Sequence, residues 1–182
     1  MKNLFFTLAT ILVISLPATA QNYFTKNGKI SFFSKTAMEN IDAVNNQVVS
    51  VINTQTGDMA FSVLINGFLF KKALMQEHFN ENYMESTKYP KATFKGNIGD
   101  LSKMNFTKDG TYAVTVAGDL TLHGVTKKVS VPGNITVKGG KFSAAATFNV
   151  LLADYNISIP SVVQNNISKT IEIKVDCNYE PK

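Results

Sequence analysis

Residues 111–122, TYAVTVAGDLTL, constrain the fold more than any other stretch. Tyr112, Val114, Val116, Gly118, Leu120 and Leu122 occupy the even positions. Thr111, Ala113, Thr115, Ala117, Asp119 and Thr121 occupy the odd ones. Successive side chains of a strand point to opposite faces, so this is a strand with one apolar side and one polar or small side. The same period returns with shifted parity. Val129, Val131, Gly133, Ile135 and Val137 oppose Lys128, Ser130, Asn134 and Lys138. Phe142, Ala144, Ala146, Phe148 and Val150 form another apolar set, and Ile171, Ile173, Val175, Cys177 and Tyr179 a last one. Further strands are read at Ile30, Phe32 and Ser34, at 47–53, at Met59, Phe61, Val63 and Ile65, and at Ala92, Phe94, Gly96 and Ile98, with a short opening strand at 23–25.

The connections are short. Thr56 with Gly57, Asp109 with Gly110, and Gly139 with Gly140 read as hairpin turns. Sequence neighbours are then antiparallel neighbours in space. About eight such strands, each with one apolar face, stack as a sandwich or close as an up-and-down barrel. Closure removes the edges that invite aggregation. Two interruptions read as helical: a turn within 36–47, and one to three turns within 70–86, ending before Tyr89 and Pro90. Pro cannot donate to a ladder, so Pro132 calls for an edge, a bulge or a strand end.

The first 20 residues stand apart. Lys2, an apolar run from Leu4 to Leu16, and Ala18, Thr19 and Ala20 make a secretory leader with cleavage after Ala20. The run is too short to span a bilayer. Residues 21–182 are then one exported domain, periplasmic or secreted, with no integral membrane span. All 18 cations are Lys, with no Arg. Bidentate phosphate and guanine recognition favours Arg, so the net charge of +5 does not point to nucleic acid. Cys177 is the single cysteine, which excludes an intramolecular disulfide and a Cys-based zinc site.

Chemistry-bearing motifs are scarce. His78 and His123 form no H-x-x-x-H spacing, so neither a metal nor another cofactor is expected. No G-x-S-x-G nucleophile turn or glycine-rich phosphate loop is present. Glu77, Glu81 and Glu85 follow i, i+4 spacing and read as a solvated helix face. Between Leu122 and Val129 the chain reverses, so His123 and Gly124 read as turn residues.

Three stretches carry a resemblance. VAGDLTLHGVTKKVSV, residues 116–131, resembles the most characteristic stretch of the YceI-like family, where a strand ends in G-x-L-T-x-x-G-V-T-K and returns as V-x-V. HFNENYMESTKYPKATFKG, residues 78–96, is similar to its second signature, a histidine followed by a loop into a Y-P-x-x-x-F strand. ATFNVLLADYNIS, residues 146–158, also fits. The resemblance implies an all-β fold: an eight-stranded antiparallel up-and-down lipocalin-like barrel, here with one or two short helices. It implies a periplasmic or secreted binding protein, not an enzyme, whose partner is an apolar small molecule: a polyisoprenoid, an isoprenoid quinone or a fatty-acid-type lipid. The chain departs from the family at KKALMQEHF, where an Arg-Asp pair commonly precedes the histidine. It departs again at Leu152, Ala153 and Asp154, where an Arg is frequent, and in the apolar FLF at 68–70.

An eight-stranded barrel either fills with its own side chains or holds one slim ligand. Gly96, Gly118, Ala144 and Ala146 among larger inward residues favour a tunnel. Its expected lining is Phe61, Val63 and Ile65, then Phe94, then Val114, Val116, Leu120 and Leu122. Val129, Val131, Phe142, Phe148, Ile171 and Ile173 complete it. His78, Lys127 and Lys128 are the candidates for contact with a polar head group at the mouth. A chain of about sixteen carbons carries on the order of 12 kcal/mol of gross burial drive, before ordering and association costs. Two other readings stay open: a lipid-modifying enzyme using His78, His123 or Asp154, and a structural module with a filled barrel. A homodimer is compatible with the sequence.

Overall fold

The structure, a computed structural model, describes residues 22–181. The expected leader and its cleavage site lie outside the described residues. Nine strands follow in order: β1 (Asn22–Lys35), β2 (Asn40–Asn53), β3 (Asp58–Leu64), β4 (Leu69–Phe70), β5 (Lys91–Ile98), β6 (Gly110–Leu122), β7 (Val125–Lys138), β8 (Lys141–Leu151) and β9 (Thr170–Pro181). A helix, α1 (Ala73–His78), lies between β4 and β5. The sheet runs β1-β9-β8-β7-β6-β5-β3-β2-β4, and β1 also pairs with β2. Every pairing is antiparallel. The eight long strands therefore close into a barrel. The two-residue β4 continues β3 past a 3-10 turn at Ile65–Gly67 and pairs with Ala43 and Val44 of β2.

The expectation of a helical turn within 36–47 is overturned. Only 36–39 turns, where Thr36 Oγ1 accepts the backbone N–H groups of Met38 and Glu39. From Asn40 the chain is strand. The reason is a parity change. Buried positions of β2 fall at Ala43 and Asn45, then at Val48, Ser50 and Ile52. The β1–β2 register shifts around Gly28, which lies opposite Val48. A bulge there breaks the period of two that marks a strand in sequence. It also carries Asn45 inside, where its Nδ2 donates to the Leu64 carbonyl at 2.8 Å.

Asp109 and Gly110 do not make a tight hairpin. Residues 99–109, with a 3-10 turn at Leu101–Lys103, join β5 to β6. Asp109 instead accepts the Gly139 N–H at 2.8 Å and pins this loop to the β7–β8 turn. The second helical segment forms as α1 and runs on into a π-helical turn at Phe79–Tyr83, where the Met84 N–H reaches the Phe79 carbonyl.

Pro132 stands where one wall opens. The β7–β8 ladder runs from Lys138 opposite Lys141 to Gly133 opposite Ala146, and stops. Residues 125–132 of β7 then pair with β6 alone, and 147–151 of β8 with β9 alone. Proline at the break has no N–H to extend the ladder. Residues 152–157 pack beside the splay, burying Tyr155 and Ile157 against Leu122, Val125 and Phe148.

The core divides in two. At the end holding the chain termini of the barrel, Phe142 stacks on Tyr179 with centroids 5.0 Å apart, and meets Tyr23 at 4.7 Å and Phe106 at 5.2 Å. Ile52, Ile98, Ile135, Val137 and Cys177 pack the same region. Tyr179 and Ser50 share a buried hydroxyl hydrogen bond of 2.7 Å. Burial pushes the Cys177 thiol up to about 12. Toward the other end, Ile65, Met84, Val150, Tyr155 and Ile157 form a separate, smaller cluster.

Candidate functional site

Between these two clusters the barrel is hollow. A cavity of about 400 Å³ lies within it, inside the usual range of ligand sites, roughly 300–1,000 Å³. Its wall is almost wholly apolar because the inward positions of the strands are apolar. Phe61, Val63 and Ile65 reach it from β3 and the turn after it, Phe94 from β5, and Val114, Val116, Leu120 and Leu122 from β6. Val129 and Val131 line it from β7, Phe148 from β8, and Ile171 and Ile173 from β9. Phe142 is the exception: it is 4% exposed, stacked in the aromatic plug beneath the cavity. Periodicity tells which face a residue takes but not its depth along the barrel, and Phe142 lies at the bottom of β8.

The sequence reading missed the upper half of the wall. Phe32, Phe68, Phe70 and Phe79 form a ring cluster with centroid separations of 5.1–5.7 Å, every one of them at the cavity surface. The apolar FLF stretch was the available signal, but nothing local shows that the segment after β3 folds back over the barrel. Met84, Leu152, Ile157 and Val163 add cover from two connecting segments.

Polar groups gather at the end away from the plug. The Glu39 carboxylate receives Lys72 Nζ at 3.6 Å and Asn166 Nδ2 at 3.3 Å, joining the β1–β2 turn, the start of α1 and the segment before β9. The Ser34 hydroxyl accepts the Ser168 N–H at 2.8 Å. His78, exposed at the end of α1, lines the cavity. Lys127 and Lys128 do not. Lys128 points outward and pairs with Asp119 at 3.3 Å. Lys127 lies opposite Leu120 in register but is exposed, because β8 does not flank this part of β7.

His123 is a structural tie. It and Gly124 make the β6–β7 turn with φ of 48° and 75°. Its ring is edge-on to Tyr89 at 4.6 Å, and its side chain is 9% exposed. Nε2 lies 2.9 Å from Glu85 Oε2 and Nδ1 3.0 Å from the Tyr155 carbonyl oxygen. Both nitrogens are thus engaged, and three segments around the upper cavity meet at one imidazole. Glu85 itself, and Asn156 next to Tyr155, also adopt positive φ. Asp154 is exposed and away from the cavity wall. Among the described residues no group of three or more His, Cys, Asp or Glu could hold a metal ion. None of the helices among them is long and apolar enough to cross a membrane.

Comparison with known proteins agrees with this architecture. The profile of the YceI-like domain matches residues 16–179. The chain belongs to the YceI-like family. Among solved structures, a polyisoprenoid binding domain from Saccharophagus degradans superposes with a TM-score of 0.78 at 16% identity, over 90% of this chain and 100% of that one. BcnA of Burkholderia cenocepacia gives 0.70 at 17% identity, over 84% and 96%. The Campylobacter jejuni YceI protein gives 0.51 at 14%, over 98% and 94%. No curated protein sequence matches significantly. On the YceI-like barrel, the first signature stretch is the β6–β7 hairpin with His123 at its tip. The second runs from the end of α1 to β5, and its Pro90 carbonyl accepts the Ile65 N–H at 3.0 Å.

Proposed function

We propose that this YceI-like protein is an exported, non-enzymatic carrier. It holds one long apolar molecule, of the polyisoprenoid, isoprenoid quinone or fatty-acid type, in the barrel for transport or storage. The observation that carries this reading is the cavity itself: an almost wholly apolar chamber above an aromatic plug, with Glu39, His78 and Asn166 at its far end. Such a site rewards hydrocarbon at roughly 0.8 kcal/mol per methylene and provides no partner for a polar group at depth. The ligand's tail points toward Phe142 and its head stays near His78. The leader read from the sequence of residues 1–20 supports a periplasmic or extracellular location. The cavity is built from one chain, so a homodimer would add nothing the carrier role requires.

The enzyme reading gains no support. His123 has both nitrogens occupied, Asp154 lies off the wall, and only His78 faces the chamber. A filled barrel conflicts with the hollow interior. The test is native purification, solvent extraction and mass spectrometry of the extract. One apolar molecule per chain is expected. Recovery of none, together with no uptake of prenyl or acyl probes, would overturn the carrier reading.

A further inference from the structure

We propose that Phe94 selects ligand length, its ring lying on a pair of glycines and setting how deep a tail can reach. The inference rests on the carrier reading. Gly96 of β5 and Gly118 of β6 are direct cross-strand partners on the inward face. Glycine weakens a strand, and two facing each other in a barrel wall mark a place where something approaches the backbone closely. Here two things do: the facing strand's own backbone, with the Lys95 carbonyl and Gly96 Cα against Gly118 and the Ala117 carbonyl against Gly96, and the Phe94 ring, which reaches both glycines. A Cβ on Gly118 would lie 2.8 Å from Phe94 Cζ, and one on Gly96 2.8 Å from Cε1. Neither glycine reaches the cavity surface, whereas Phe94 does. The ring is therefore folded down along the wall, over both glycines. Phe61, its ladder partner on β3, meets it edge-on at 6.3 Å.

This posture puts a step in the floor. Below Gly96, Ile98 is 1% exposed in the closed core. Below Gly118, Val116 and Val114 still line the chamber. On the β5 side the cavity thus ends at Phe94, and on the β6 side it continues deeper. Gly133, Ala144 and Ala146 widen it on the β7–β8 wall. A tail descending the barrel passes between the Phe94 ring and these small residues. Removing the ring exposes the glycine-lined wall and lengthens the chamber, and enlarging the ring shortens it.

The test uses a stepwise series of straight-chain fatty acids, measured by displacement of a fluorescent acyl probe from the full mature chain. Affinity should rise about fourfold per added methylene until the chamber is full, and then level off. Phe94→Ala should move that cut-off to longer chains, with a gain of about tenfold for acids just beyond the wild-type limit. Phe94→Trp should move it to shorter ones. Val163→Ala, near the opposite end, should weaken binding without moving the cut-off. If Phe94→Ala does not fold, Phe94→Leu carries the same expectation in smaller measure. An unchanged cut-off in the folded Phe94 variants, with normal wild-type binding, overturns the inference and leaves the carrier standing. If no fatty acid binds, the same cut-off is read on a series of prenyl alcohols, and wild-type protein that binds neither class overturns the carrier reading itself.

Discussion

Phe142 and Phe148 lie on the same face of β8, six residues apart, yet their truncation should differ sharply in cost. Phe142 is 4% exposed and packs on three aromatic rings. Phe148 is half-buried and faces the chamber. Truncating a fully packed Phe loses its transfer free energy and leaves a void, about 3–5 kcal/mol together. At Phe148 the void already exists, so only the burial the ring makes is lost, about 1 kcal/mol. For a domain of this size, with a urea slope of about 2 kcal/mol/M, Phe142→Ala should lower the denaturation midpoint by about 2 M and Phe148→Ala by about 0.5 M. The chain has no tryptophan, so unfolding is followed by circular dichroism, and the slopes must match the wild type for the comparison to hold. Phe148→Ala should in addition change the affinity for acyl probes. Equal midpoint shifts from the two would mean the upper barrel is packed as tightly as its plug, and the hollow interior would be refuted.

His123→Ala should cost about 1–3 kcal/mol through loss of its two hydrogen bonds, while His123→Asn, which tolerates positive φ, should cost less; urea midpoints measure both. Leu120→Lys places a charge at the cavity wall and should abolish folding or probe binding, whereas Thr121→Lys, on the outer face beside Thr126, should be tolerated; equal effects would mean the register is wrong. The buried thiol of Cys177 gives an alkaline signature. Its proton is held in the folded state up to about 12, against an ordinary value of 9.0. The folded chain then binds more protons than the unfolded one, so stability present below about pH 9 falls as pH rises toward 12, by up to about 1.4 kcal/mol per unit. Burial pushes the Tyr179 phenol up as well, in the same direction. Cys177→Ala should flatten the fall in urea midpoint above about pH 9; an unchanged slope would remove the thiol as its cause.

The parts of the fold legible in the sequence are those governed by local rules. The strands from Gly110 onward keep one alternating apolar face, broken in β7 at Lys127, and their turns carry Gly124, Gly139 and Gly140 at positive φ. Their inward residues are therefore readable one by one. The first hairpin is not, because the bulge at Gly28 and Val48 shifts parity in mid-strand. Its consequence is tertiary: a Cβ on Gly28 would lie 2.6 Å from Cys177 Sγ of β9, a contact more than a hundred residues away in sequence. The wall contributed by Phe68, Phe70 and Phe79 was hidden for the same kind of reason. Whether an apolar loop segment faces water or the barrel depends on where the chain turns next.

Depth along the barrel is the other quantity alternation does not encode, and the carrier reading depends on it. Small inward residues are necessary for a tunnel but do not locate it. Ala144 and Ala146 do line the chamber, while Gly96 and Gly118 are roofed by a ring from their own neighbourhood. The plug forms where large inward residues coincide at one level: Tyr23 from β1, Phe142 from β8 and Tyr179 from β9, with Phe106 closing from the β5–β6 connection. One level up, the same strands carry Ala144 and Cys177, which are register partners, and the rings give way. Whether the barrel is hollow thus follows from how bulky residues fall into layers across strands far apart in sequence, a property of register that no single strand contains.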